Sequence, residues 1–108
     1  MVLYVVNAVT GWDLTIDELV DVGERIMNLE RAFNVRRGLT PDDDYNLSPR
    51  LLEAPKDGRQ AGKPLAPHIR SMIDDFYNLM GWDKKTGKPW RDTLKRFGLN
   101  EVARDLWT

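Results

Sequence analysis

The chain has 108 residues, 42% hydrophobic and 31% charged, with a net charge of −1. That is room for one globular domain, and the composition argues against a disordered or fibrous chain. The balance of 16 basic and 17 acidic residues leaves no global field to draw in nucleic acid or an anionic membrane, and the lack of cysteine excludes disulfides, thiolate zinc sites, cysteine-ligated iron–sulfur clusters and a cysteine nucleophile within it.

Taken from the start, Met1 to Thr10 (MVLYVVNAVT) is rich in β-branched valines, which favour strands. No second strand-like run exists to pair with it, so a short helix or apolar lead-in is expected. The run is too short to span a bilayer and lacks the basic start of a signal peptide, so a cytoplasmic chain without a membrane partner is expected.

A long helix follows, from about Ile16 to Arg37. Thr15 and Glu18 have the spacing of a capping box, Asp17 and Glu18 face the positive end of the helix dipole, and Arg36 and Arg37 face the negative end. Gly38 is a natural left-handed stop. At about 100° per residue, Ile16, Leu19, Val20, Gly23, Ile26, Met27, Leu29 and Phe33 share one broad side. Asp17, Asp21, Glu24, Arg25, Asn28 and Arg31 share the other. The apolar side is wider than the ~100° stripe of a surface helix, so this helix calls for more than one packing neighbour. Gly23 within it predicts close approach of another backbone.

Thr40-Pro41-Asp42-Asp43 reads as a capped short turn, and Ser48 to Glu53 as a single helical turn. The stretch APKDGRQAGKPLAP carries closely spaced prolines and glycines without periodicity, which predicts an exposed loop. A second main helix is predicted from about Pro67 to Met80, ended by Gly81. A third is predicted from Pro89 to about Phe97, stopped by Gly98, and a short last one from Glu101 to Leu106, capped by Asn100. The expected fold is all-α: a small irregular bundle of about four helices with a long central loop, forming one domain over residues 1–108.

The triplet Gly-Trp-Asp occurs at Gly11 to Asp13 and at Gly81 to Asp83. The first lies ahead of a helix and the second after one, which predicts punctuation at opposite helix ends and not an internal repeat or a carboxylate pair.

Glu30 is the sharp anomaly, because it falls within the apolar side of the long helix. A carboxylate there must be paired or have a raised pKa. It reads either as a general acid or base in a pocket or as an ion pair with Arg37, with Asn34 available to complete a polar network. His68 has no histidine or cysteine partner and reads as a surface residue. Asp42 to Asp44 lack the spacing of a calcium loop and read as a solvated turn. The Gly-Lys-Pro segments at Gly62 and Gly87 are not phosphate loops, since no Gly-Lys-Ser/Thr follows a strand. The four tryptophans are dispersed and read as core and cap packing. No residue is assigned a catalytic, cofactor-binding or metal-ligating role from these patterns.

The string NAVTGWDLTIDELVDVGERIMNLERAFNVRRGLTPDDD resembles the C-terminal region of the tungsten-dependent aldehyde ferredoxin oxidoreductase family. The shared pattern is Val9 to Trp12, Glu18-Leu19, Gly23 to Ile26, Asn28 to Arg31 and Phe33 to Arg36. The resemblance continues through LSPRLLEAP, FYNLMGWDKKTGKP and LKRFGLNEVARDL, from about Tyr4 to Leu106. It implies a parent activity of aldehyde oxidation to carboxylic acid with ferredoxin as acceptor. That activity uses a tungsten (or molybdenum) bis-pterin and a [4Fe-4S] cluster, held by motifs upstream of the matched region. The resemblance therefore implies a helical C-terminal domain that is inactive by itself and carries no cofactor. Its expected partner is the rest of an oxidoreductase as a separate subunit, or a second copy of the chain; the alternative is a stand-alone helical interaction module without redox function. Such a helix would face other domains in a full enzyme, and alone the chain would expose part of that side.

Overall fold

The computed structural model describes all of residues 1–108. It contains seven helices: α1 (Val2–Thr10), α2 (Ile16–Arg36), α3 (Pro41–Tyr45), α4 (Pro49–Leu52), α5 (Ile69–Met80), α6 (Arg91–Arg96) and α7 (Asn100–Leu106). There is no sheet; the only β-type pairing is an isolated bridge between Trp82 and Pro89. The all-α expectation is met. The central loop carries the one-turn helices α3 and α4, where the short turns were expected. No helix is long and apolar enough to cross a membrane.

The helix ends follow local chemistry. At α2, the Thr15 hydroxyl accepts from the Glu18 amide (3.2 Å) and the Glu18 carboxylate accepts from the Thr15 amide (3.3 Å), as the capping box requires. Gly11 ends α1 at φ 75° and Gly81 ends α5 at φ 72°, both left-handed. The two Gly-Trp-Asp triplets thus do the same job, each as a C-cap. The expectation that they serve opposite helix ends is corrected, because the apolar lead-in is itself a full helix. Two smaller boundaries also move: Leu99, and not Asn100, is the N-cap of α7, and α6 opens at Trp90 because Pro89 is held in the bridge to Trp82.

The hydrophobic core is small and lies toward the C-terminus. Leu94, Leu99, Ala103 and Leu106 of the α6–α7 hairpin close on Ala32 of α2, with Phe97, Val102 and Trp107 packed around them. Trp107 stacks on Trp90 with centroids 5.3 Å apart, and its indole N–H donates to the Pro89 carbonyl at 2.8 Å. Only 11 of 108 residues are buried. The radius of gyration is 17.4 Å, against the ~13 Å of a compact chain of this length. The extents of 46 × 41 × 20 Å describe a flattened, open arrangement.

The largest departure from expectation is in α2. Its buried residues are Asn28, Arg31 and Ala32. Asn28 and Arg31 belong to the side read as polar and outward. The apolar side points away: Ile16, Val20, Ile26, Met27, Leu29 and Phe33 are all exposed. Gly23 lies on that free side with nothing within 4 Å of a would-be Cβ, so the backbone approach expected there is not made within the chain. Periodicity locates the two sides of a helix but not which one the rest of the chain covers, and here α6–α7 and the 82–89 turn cover the polar one.

Candidate functional site

The best-organised group of side chains lies where α2, α3 and α5 meet the 82–89 turn. It is built on Arg31, which is 7% exposed. Arg31 Nε donates to the Gly87 carbonyl (2.9 Å), and Nη1 lies 2.8 Å from the Asp44 carboxylate. Nη2 donates to the Tyr77 hydroxyl, which donates in turn to Asp44. The guanidinium also sits 4.5 Å from the Trp82 ring centroid and 5.1 Å from that of Tyr77, a double cation–π contact. Gly87 has φ 75°, and a Cβ there would fall 2.7 Å from Arg31 Nη2, so both backbone and space reserve the position for glycine.

One turn earlier on α2, the buried Asn28 accepts from the Trp82 indole N–H at 2.8 Å and donates to the Glu24 carbonyl at 2.8 Å. Trp82 is fixed further by edge-on contacts with Phe76 and Tyr77. Beside this group, the Tyr45 hydroxyl donates to Asp74 while Arg70 lies over the Tyr45 ring. Asp83 accepts from the Thr86 hydroxyl (2.7 Å) and from the amides of Lys85 and Thr86, which fixes the turn that delivers Gly87.

The electrostatics describe a closed network. Burial pushes the Tyr77 phenol well above its ordinary value, and its hydrogen bond to Asp44 pushes it further. The hydrogen bond to Asp74, followed by burial, raises Tyr45. At Asp83 burial acts upward, but the hydrogen bonds from Thr86 and the Lys85 amide outweigh it and leave the carboxyl below its usual value. No buried side-chain nitrogen or oxygen lacks a partner. A general base needs a free lone pair near the reacting proton, and a phenolate nucleophile needs a lowered pKa. The second condition is not met, since the Tyr45 and Tyr77 phenols both have raised pKa values, and the network ties three helices to one turn.

The residues singled out from sequence are dispersed. Glu30 is exposed on the outer side of α2, next to Leu29, Phe33 and Asn34 in a shallow depression. The expected ion pair with Arg37 does not form; Arg37 instead lies 5.2 Å over the Phe33 ring. That carboxylate was expected to be interior, but its side of the helix faces solvent and no desolvation forces a partner on it. Asn34 is likewise exposed and uses its backbone carbonyl to stop the helix, accepting from the Leu39 amide. His68 is exposed at the N-cap of α5, beside an open groove of about 650 Å³ along the central loop.

Within the acidic triplet, Asp43 accepts from the Thr40 amide (2.8 Å) and caps α3. Asp44 is not part of a solvated turn: it is the internal counter-charge of Arg31. Of the Gly-Lys-Pro segments, the first lies in the exposed loop. The second is structural throughout, with the Gly87 carbonyl on Arg31, the Lys88 ammonium on the Leu106 carbonyl at 3.0 Å and the Pro89 carbonyl on Trp107. The Arg31 network itself was missed. Its one local signal is the Asn28/Arg31 spacing on a single side of a helix; apart from Asp44, its partners lie 46 to 56 residues further along the chain.

No group of three or more His, Cys, Asp or Glu side chains is placed to hold a metal ion, and the chain has 0 cysteines. Iron–sulfur clusters need thiolate ligands, or thiolates with histidines. The donor set therefore does not fit an iron–sulfur cluster.

What these features define is a class of protein: an all-helical chain with a buried polar network and one uncovered apolar side. The family model described as "Aldehyde ferredoxin oxidoreductase, domains 2 & 3" matches residues 1–99, and the chain belongs to that family. It is 38% identical over 96 residues to the tungsten-containing aldehyde ferredoxin oxidoreductase of Pyrococcus furiosus, a match covering 88% of this chain. The proteins of the same description from Pyrococcus horikoshii and Thermococcus kodakarensis are 38% and 35% identical over 96 residues. The chain spans 15% of the length of these relatives. No solved structure matches it.

Proposed function

We propose that residues 1–108 form one helical domain that completes the architecture of an aldehyde ferredoxin oxidoreductase-like enzyme and takes no part in the electron chemistry. The parent reaction is the two-electron oxidation of an aldehyde to a carboxylic acid, with ferredoxin as acceptor. A tungsten–pterin centre and an iron–sulfur cluster would supply that chemistry, and both would be held by the remainder of the oxidoreductase. The domain acts in the cytoplasm and has no nucleic acid or membrane as partner.

The observation that carries this reading is the family match over residues 1–99 in a chain without cysteine and without a metal-donor cluster. The Arg31 network supports it: its buried side-chain polar atoms all have partners within the chain and hold its helices together.

Metal analysis of the purified chain tests the reading. It should contain neither tungsten nor iron, and should not reduce ferredoxin or a viologen dye with an aldehyde as donor. Tightly held metal, or aldehyde oxidation by the chain alone, would overturn it.

A further inference from the structure

The uncovered side of α2 is a built surface. The chain exposes 8257 Å², whereas a compact protein of this mass exposes ~6,200 Å². The difference, about 2,000 Å², is what one partner contributes to a large obligate interface. Part of the exposed area is apolar surface on α1 and the outer side of α2, where Val5, Val9, Val20, Ile26 and Phe33 are each at least half exposed. Helix α1 adds an independent argument. It has nine residues, none of them buried. An isolated helix that short is not stable in water. Its one side-chain tether is Asn7, which bonds the Leu14 amide (3.0 Å) and carbonyl (3.1 Å).

Two residues give the surface its character. Gly23 sits on the apolar side with open space over it, a helix-weakening residue with no cause inside the chain. Glu30 sits nearby on the same side, exposed and without an ion-pair partner. Covering this side would bury Glu30, and a buried carboxylate needs a cation.

We infer that α1 and the outer side of α2 form the docking surface for the larger body of the oxidoreductase, through an apolar surface that approaches closely at Gly23 and presents an arginine or lysine to Glu30. The inference rests on the assembly role proposed above. The occupant follows from the family, since the relatives carry several times this chain's length beyond the matched region, and from the area left uncovered.

The test uses the intact chain and, as probe, the Pyrococcus furiosus relative expressed without its own matching segment. Sedimentation should show a monomer alone and a one-to-one complex with the probe. Gly23→Leu should raise the melting temperature of the free chain, because it adds helix propensity in open space, yet weaken the complex at least tenfold. Glu30→Arg should weaken it at least tenfold too, with helicity by circular dichroism unchanged, and Lys56→Glu in the exposed loop should do neither. A complex insensitive to Gly23→Leu and Glu30→Arg overturns this surface while leaving the assembly role standing. A dimer of the chain that those substitutions dissolve overturns the choice of occupant. A monomer that binds no probe overturns both the surface and the assembly role.

Discussion

The two sides of α2 obey opposite rules. The inner side buries an amide and a guanidinium, Asn28 and Arg31, under Trp82 and Tyr77. The outer side leaves Val20, Ile26, Met27 and Phe33 in contact with solvent. In a self-sufficient globule the assignment would be reversed. The difference teaches that hydrophobic burial and conformational specification are separated here. The inner side fixes geometry with directional bonds whose partners lie far along the chain, and the outer side keeps its apolar area for contacts the chain does not make with itself.

If that division holds, the largest stability loss should come from the inner side. Arg31→Ala removes the counter-charge of Asp44 and the donor to Tyr77 and Gly87 together. Breaking a buried pair costs about 3–5 kcal/mol, and the partial exposure of Asp44 places this one near the lower end. Urea denaturation followed by tryptophan fluorescence measures it, since Trp82 is buried against the guanidinium. Leu94→Ala, at a fully buried position of the α6–α7 core, should follow at about 3 kcal/mol. A loss at Arg31 no larger than that of an exposed substitution would break the comparison.

The local signals for these elements are plain in the sequence, and the long-range ones are not. The Thr15/Glu18 box, the glycine stops at Gly38, Gly81 and Gly98, and the prolines at Pro41 and Pro49 each act within one turn, so α2, α3, α4 and α5 stand close to where those residues place them. The inner network depends on Asp44, Tyr77, Trp82 and Gly87 converging on one guanidinium, and nothing local to Arg31 announces that. Periodicity marked the outer side of α2 as apolar and therefore as core, and Glu30 as a buried acid. Both inferences assume that a helix buries its apolar side within its own chain. The family resemblance was legible because it lies in the order of residues and not in their packing.

A medium effect should mark the turn that carries Gly87. The folded-state pKa of Asp83 is depressed. The bonds to Thr86 and Lys85 therefore stabilise the fold above the ordinary carboxylate pKa of ~3.9, and that contribution is lost as pH falls through the lower folded value. Asp83→Ala should cost about 1 kcal/mol at neutral pH. It should also flatten the acid limb of the stability–pH curve below about pH 4. Tyr77 acts with the opposite sign. Its raised folded pKa favours the neutral phenol, so its contribution is complete below about pH 10 and fades as pH rises beyond it. Tyr77→Phe should weaken that alkaline loss.

The smallest effect should come from the outer side. Val20 is 50% exposed and Ile26 is 52% exposed, and valine, isoleucine and serine have similar helix propensities. Val20→Ser and Ile26→Ser should therefore change the stability of the isolated chain by no more than about 0.5 kcal/mol in urea denaturation. The value lies in contrast with Arg31→Ala on the same helix. A small outer effect beside a large inner one means that the apolar side contributes nothing to the fold of the chain alone, so its hydrophobicity answers to a surface outside it. An outer loss above about 2 kcal/mol would show that side to be covered in solution, since only a buried aliphatic side chain costs that much to truncate, and the division between the two sides of α2 would then fail.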